Sequence, residues 1–430
     1  MKKRYGKTVK AGLGLALVLC GMGVFAADVP RVLIIGDSIS LGYTPFVKTL
    51  LTNRAEVVHA PGNNAATVTG LKRLDTWLGD RKWEVIHFNF GLHDIKYIDT
   101  ATSEADMAKL ISVDTGKQWV PVAAYEENLR TLVQRLKATG AKLIWCSTTP
   151  VPEGAQGRLP GDVAVYNAAA LRVMQAEGVP VNDLCAFVGP PERRAALGGI
   201  PKDVHYTPAG SQALAGEVVK AIEKALGWTL LFDGKTLEGW RPYGKPAGTP
   251  VAEGWKIEEG LLHKVPGVKG GDIITEKQYT DFELAWEWRL AKDGNNGVKY
   301  LVTEARPGAP GYEYQMIDDA SDKWRTLHDK AKTAAFYEVL PPAADKPLKP
   351  AGEWNSSRIV VQGERVEHWL NGVKVLEYAF GSDAVKAGVA DSKFKKYPDF
   401  GAKLTGHIML TDHTDECWYR SVRIREFPAK

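Results

Sequence analysis

Cysteine is scarce in this 430-residue chain: Cys20, Cys146, Cys185 and Cys417 are the only four, and no two stand in a C-x-x-C spacing. That scarcity excludes a disulfide framework and a zinc knuckle, and no metal or other cofactor is expected. A strong charge of either sign is also lacking, with 55 Lys and Arg against 51 Asp and Glu. No basic patch interleaved with aromatics occurs, so nucleic acid is not an expected partner. Long apolar runs are confined to the beginning. Beyond it no stretch reaches the ~18 consecutive apolar residues of a membrane helix, so no stable membrane span is expected once a leader is removed.

The opening residues have the form of an export signal. Lys2, Lys3, Arg4, Lys7 and Lys10 precede the apolar run AGLGLALVLCGMGVF, and small residues surround a cleavage point near Ala26 or Ala27. Residues 1–26 are therefore expected to be a signal peptide and the mature chain to be periplasmic or secreted. A lipid-anchored alternative would use Cys20, but Leu19 stands where a small residue is required. Of the remaining Cys146, Cys185 and Cys417, the first two could pair in an oxidising compartment, but both lie in apolar contexts, and all three are expected as buried free thiols.

What is present is ordinary globular material, 44% hydrophobic and 25% charged. At roughly 100–200 residues per domain the length predicts two or three domains. Two textures divide the chain. Over 29–227 short apolar runs such as RVLIIGDS, EVIHFNFG and AKLIWCSTTP alternate with helical segments such as YEENLRTLVQRLKATG. This alternation predicts an α/β domain, a parallel sheet with helices on both faces. Over 229–428 strand-like segments such as FELAWEWRL, GVKYLVTEA and YEYQMID follow one another, and Leu370-Asn371-Gly372-Val373 is an Asn-Gly hairpin signal. That half is expected to be an all-β antiparallel sandwich.

In the first half the strand Val32 to Ile35 ends at Gly36-Asp37-Ser38 with a helix to follow. A serine there sits at the carboxyl edge of a parallel sheet, where open α/β sheets bind ligands, beside backbone N–H groups suited to an oxyanion. Serine needs a base to take its proton. His205 offers one, just ahead of a helix expected to be capped by Thr207 with Pro208 in its first position.

Gly36-Asp37-Ser38, Gly91-Leu92-His93-Asp94 and Asp203-Val204-His205, in this order, resemble the blocks of the SGNH (GDSL-type) hydrolases. The resemblance implies a flavodoxin-like three-layer α/β/α fold, Ser38 as nucleophile and His205 as base. It also implies an oxyanion hole formed by the Ser38 amide, a Gly of the second block and an Asn of the third. Two places depart from the family pattern: His93 stands where that Asn is usual, and Lys202 occupies the usual place of the acid. A neutral imidazole N–H donates as an amide does, so His93 is the expected oxyanion donor, although a satisfied strand-end histidine is the alternative. Asp203, two residues before His205 in extended chain, projects to the same side and is expected to orient the ring. A dyad oriented by a backbone carbonyl competes with it. Asp94 is expected to hold its turn by accepting backbone N–H groups. In the second block Asn64 is preferred over Gly62 and Asn63 as the remaining donor, against a plain Asx turn. The insert from Ile95 to Ala124 is expected to wall the substrate site.

LLFDGKTLEGWR, NNGVKYLV, GYEYQMIDD, EWNSSRIVVQGERVEHWLNGVKVLEY and GHIMLTDHTDECWYRSVRIREF together resemble the 3-keto-disaccharide hydrolase domain, a concanavalin-like jelly roll. The resemblance implies action on, or binding of, 3-keto-glycosides at a concave face. Strand alternation nominates Glu313, Gln315 and Asp318 for that face, with His328, His368 and His413 nearby. A Glu/His pair supplies the base and acid that elimination from a 3-keto sugar needs. A Trp-rich sandwich that only binds glycan is the alternative. Asp293, Asn295 and Asn296 suggest either a calcium loop or the commoner Asx turns. The expectation is thus an exported hydrolase, a serine esterase for acylated carbohydrate joined to a glycan-binding or glycan-cleaving sandwich. The alternatives are 3-keto-glycoside cleavage in the second half, or glycan binding alone.

Overall fold

The computed structural model describes residues 29–428 apart from 53, 100–110 and 398, so the expected signal peptide at 1–26 lies outside the described residues. No described helix is long and apolar enough to cross a membrane.

The first half runs β1 (Arg31–Ile35), α1 (Ser38–Leu50), β2 (Glu56–His59), α2 (Thr67–Leu78), β3 (Val85–Phe88), β4 (Tyr97–Ile98), β5 (Lys117–Gln118), α3 (Val122–Lys137), β6 (Lys142–Cys146), α4 (Pro160–Glu177), β7 (Val181–Asn182), α5 (Leu184–Val188), α6 (Pro191–Ala196) and α7 (Pro208–Ala225). Five strands pair in parallel in the order β2-β1-β3-β6-β7, the flavodoxin-like order. Its strands are apolar on both faces because helices cover both. Leu33 and Ile35 pack with Leu74 of α2, Leu129 of α3 and Val173 of α4. Val32 and Ile34 pack with Val47 of α1 and Val218 and Ile222 of α7. The carboxyl ends of β1, β3 and β6 therefore open on one edge; Gly36-Asp37-Ser38 and Gly91-Leu92-His93-Asp94 leave β1 and β3 there, and the loop between α6 and α7 brings His205 to Ser38. Among the cysteines, Cys146 and Cys417 are buried and Cys185 is half-buried, all free thiols.

The second half contains β8 (Thr229–Leu230), β9 (Trp240–Pro242), β10 (Trp255–Glu258), β11 (Leu261–Lys264), β12 (Ile273–Thr275), β13 (Phe282–Leu290), β14 (Asn295–Val302), β15 (Tyr312–Ile317), β16 (Asn355–Gln362), β17 (Arg365–Leu370), β18 (Val373–Ala379), α8 (Asp383–Ala390), β19 (His407–Leu410) and β20 (Cys417–Glu426). One antiparallel sheet has the order β10-β11-β20-β13-β16-β17-β18, with β8 paired to β20, and the other β15-β14-β19-β12-β9. Asn371 and Gly372 both take positive φ, 47° and 84°, as the tight turn joining β17 to β18 requires. Aromatic side chains fill the space between the sheets, with Trp286 meeting Tyr314 edge-on at 5.0 Å between ring centres. The result is the all-β sandwich of jelly-roll type that the strand pattern predicts.

His368 is a correction. It was expected near an open face, but it is wholly buried between the sheets: Nδ1–H donates to the Ala334 carbonyl at 2.9 Å, and Nε2 accepts the Tyr300 hydroxyl at 3.0 Å. It alternates with Val366 and Leu370, both fully buried, so β17 turns that side inward. Burial lowers its pKa to about 4, against the opposing hydrogen bond to Ala334. Above pH 6.5 the ring is neutral whether the chain is folded or not. Between pH 6.5 and 4 only the unfolded chain takes up the proton, so about 3 kcal/mol of stability is lost as pH falls. Replacing His368 with Phe is expected to flatten the acid limb of the urea midpoint between pH 7 and 4.5; an unchanged limb would contradict the assignment.

A short link joins the halves, α7 ending at Ala225 and β8 beginning at Thr229. Across the junction Glu223 of α7 pairs with Arg54 and, at 3.4 Å, with Arg423 of β20, all three largely buried.

Candidate functional site

At the end of β1, Gly36 is required because a Cβ there would lie 2.8 Å from the Ser40 hydroxyl. Asp37 caps α1 by accepting the Ile39 N–H at 2.9 Å. Ser38 is the first residue of α1, so no intrahelical carbonyl takes its N–H. The Ser38 Oγ lies 2.8 Å from His205 Nε2, and His205 Nδ1 lies 2.5 Å from Asp203 Oδ1. With the proton on Nδ1 donated to Asp203, Nε2 is free to accept from the serine. Partial burial acts to raise the Asp203 pKa, but hydrogen bonds from the His205 backbone N–H and ring hold it below its ordinary value.

The loop bearing this pair is clamped from behind. Buried Arg194 donates to the carbonyls of Ile200 at 3.1 Å, Asp203 at 2.6 Å and His205 at 3.2 Å. Thr207 caps α7 with Pro208 first, as its sequence predicts. Lys202, in the place where an acid is usual, takes left-handed backbone at φ 57°, and the carboxylate that reaches His205 is that of Asp203.

His93 lines the same cleft, a volume of about 400 Å³ that also opens on Ser38, Asp203 and His205. Only 4% exposed, it is held neutral by burial and by the charges of Lys96, Arg158 and His205, which push its pKa well below the usual value. Its Nδ1 has no partner among the described residues. The preceding Gly91 has φ 151°, and a Cβ there would collide with the Thr148 hydroxyl at 2.1 Å.

Asn64 is a second correction. Its Oδ1 accepts the Gly36 N–H at 2.8 Å, its Nδ2 donates to the Pro61 carbonyl at 3.3 Å, and its own N–H donates to the Gly36 carbonyl at 3.1 Å. Held by these bonds and with no exposed surface, it clamps the strand end, and Asn63 lines the cleft in its place. Asp94 does accept a backbone N–H, but on a different element: its Oδ1 takes the Thr67 N–H at 2.9 Å and hydroxyl at 2.5 Å, fixing the start of α2. From the insert, Lys96 reaches the cleft; residues 100–110 lie outside those described. Lys96 and Arg158 were not singled out from the sequence. Arg158 follows β6 on the ligand-binding edge, which was the available signal.

Residues 34–213 match the GDSL-like lipase/acylhydrolase family and residues 227–425 the 3-keto-alpha-glucoside-1,2-lyase-like domain. A 3-keto-disaccharide hydrolase of Bacteroides thetaiotaomicron is 31% identical over 230 residues, covering 46% of this chain and 78% of the relative. The chain belongs to the 3-keto-disaccharide hydrolase family and carries a GDSL-type half. It is a hydrolase. A Parabacteroides distasonis protein solved as a candidate glycosyl hydrolase is 35% identical, covering 48% of this chain and 97% of that one, with a TM-score of 0.44. A lipase/acylhydrolase of Enterococcus faecalis is 21% identical over 46% of this chain and 96% of its own, with a TM-score of 0.37.

In the 3-keto-disaccharide hydrolase half, Glu313 and Gln315 alternate with the core residues Tyr312, Tyr314 and Met316, so they share the outer face of β15. Glu313 stands opposite Lys299, 3.9 Å away, and both Glu313 and Gln315 are buried. The other candidates are not gathered with them. Asp318 lies past the end of β15, where its Oδ2 accepts the Asp293 N–H at 3.1 Å. His328 is exposed, 3.5 Å from Glu338, and His413 is exposed in the loop between β19 and β20. The suspected calcium loop is occupied by hydrogen bonds: buried Asn296 accepts the Thr411 and Tyr419 hydroxyls at 2.9 and 3.0 Å, and the Asp293 carboxylate accepts the Ser321 hydroxyl.

Proposed function

We propose that residues 29–227 form a serine esterase for acylated carbohydrate, that residues 229–428 hold or cleave the glycan, and that the mature chain works in the periplasm or outside the cell. The hydrogen-bonded series Asp203, His205, Ser38 carries the reading of the site, and the basic, then apolar, opening residues support export. The Ser38 Oγ attacks the ester carbonyl carbon while its proton passes to His205 Nε2, and the carbonyl electron pair moves onto oxygen. The Ser38 N–H and the neutral His93 ring face that charge. Collapse breaks the bond to the alcohol oxygen, which takes the proton from His205. Water, deprotonated by His205, then releases the carboxylic acid and restores Ser38.

The test is nitrophenol release from a short-chain acetyl ester by the purified mature protein beside Ser38→Ala. Asp203→Asn is expected to lower kcat at least roughly a hundredfold, since the ring loses the acceptor that fixes its tautomer. A change below about threefold would favour the dyad oriented by a backbone carbonyl. A second reading places cleavage of 3-keto-glycosides on the outer face of β15, and the Bacteroides relative supports it. Glu313 would take the proton next to the ketone, the C–H electron pair would form a double bond as the glycosidic bond breaks, the departing oxygen would take a proton from water, and water would then add across the double bond. Turnover of a 3-keto-glycoside that survives Ser38→Ala would favour this reading.

A further inference from the structure

The cleft beside Ser38 holds more positive charge than the esterase mechanism uses. Lys96 is 4% exposed and Arg158 is 9% exposed, and both line the cleft. Arg158 commits its Nε to the Leu92 carbonyl at 2.8 Å, but its terminal nitrogens make no ion pair or hydrogen bond among the described residues. Lys96 has no carboxylate within 4.0 Å among them, and its ammonium lies 5.3 Å from the centre of the Trp119 ring. The nearby carboxylates are engaged elsewhere, Asp37 with the start of α1, Asp94 with Thr67 and Asp203 with His205. Lysine and arginine are seldom buried without a partner. Asp37 is the favourable charge common to both, with Asp94 near Lys96 and Asp203 near Arg158, but among the described residues no carboxylate comes within 4.0 Å of either cation, which leaves their cleft side open to an anion.

We propose that Lys96 and Arg158 form a carboxylate subsite beside Ser38, so that the ester hydrolysed there carries a carboxyl group next to the scissile bond. The proposal rests on the serine-esterase reading. A carboxylate fits because the planar guanidinium presents paired N–H donors to its two oxygens while the ammonium adds a point charge. Burial and the neighbouring Arg158 lower the Lys96 pKa to about 8, a cost that a bound carboxylate would offset.

The carboxylate can belong to the acyl group or to the sugar, and two matched pairs separate these sources. One pair is mono-4-nitrophenyl succinate against 4-nitrophenyl butyrate; the other is O-acetylated methyl glucuronoside against O-acetylated methyl glucoside. At pH 7 the carboxylated member of one pair is expected to have at least about a tenfold higher kcat/KM. Arg158→Gln and, independently, Lys96→Met should bring that ratio close to one. Turnover without preference in either pair overturns the subsite and leaves the esterase standing. Equal losses on both members of a pair would make the two cations oxyanion donors and also overturn it. If no ester turns over yet a neutral fluorophosphonate labels Ser38, succinate or methyl glucuronoside must slow that labelling, and Arg158→Gln must abolish the protection; no protection overturns the subsite. Absence of both turnover and labelling removes the esterase reading and the subsite together.

Discussion

Ser38→Ala is expected to lower nitrophenol release from a short-chain acetyl ester by at least about a thousandfold while leaving the urea midpoint essentially unchanged. Among the described residues the Oγ has one side-chain partner, His205 Nε2 at 2.8 Å, so truncation removes the atom that attacks without opening a cavity. Activity that remains would come from the oxyanion donors and from binding alone. Groups that act as a unit are not additive, so Ser38→Ala combined with His205→Ala should be no worse than either change alone. Equal turnover by wild type and Ser38→Ala would refute the nucleophile outright. Losses that multiply in the double variant would show that His205 does not act through Ser38.

The second large effect is on stability. Glu223→Ala should cost about 3–5 kcal/mol, because it leaves Arg54 and Arg423 facing each other at the junction with no carboxylate between them. Arg423 already has its pKa lowered to about 10 by burial and by the charge of Arg54. Its guanidinium lies 5.2 Å from the centre of the Trp228 ring, in the link between the halves, so the loss should reach both. Replacing Glu223, Arg54 and Arg423 together with methionine removes the unpaired charges and should recover most of the loss. Urea unfolding followed by tryptophan fluorescence measures both variants. A midpoint for Glu223→Ala close to that of wild type would mean that water reaches the junction and screens it.

Strand and helix alternation, and the two fold classes with it, were legible because burial on one or both faces imposes a period on the chain. The serine, the histidine and the acid two residues before it were legible because each stands beside a local signal: a strand end, a capped helix start, an extended dipeptide spacing. The misread residues are of another kind. Asn64 has the chemistry of an oxyanion donor, but its carboxamide is consumed by Gly36 and Pro61. His368 alternates with Val366 and Leu370, a pattern that marked it as interior, yet its chemistry drew more weight than its period. Lys96 and Arg158 carry no local signal of a shared site, since they reach one cleft from the loops after β3 and after β6.

The sequence by itself determined the order of elements, the faces they bury and the residue types able to do acyl-transfer chemistry, because these depend on neighbours within a few positions. Only the tertiary structure decided which of those residues meet. Ser38 and His205 are 167 positions apart and come within hydrogen-bonding distance because β1 and α7 open on the same sheet edge. Whether a polar side chain is spent on holding the backbone or left facing the cleft depends on which carbonyls and N–H groups folding brings beside it. Asn64 and His93 stand at that edge on opposite sides of this distinction, one fully buried and bonded to Gly36 and Pro61, the other lining the cleft beside Ser38.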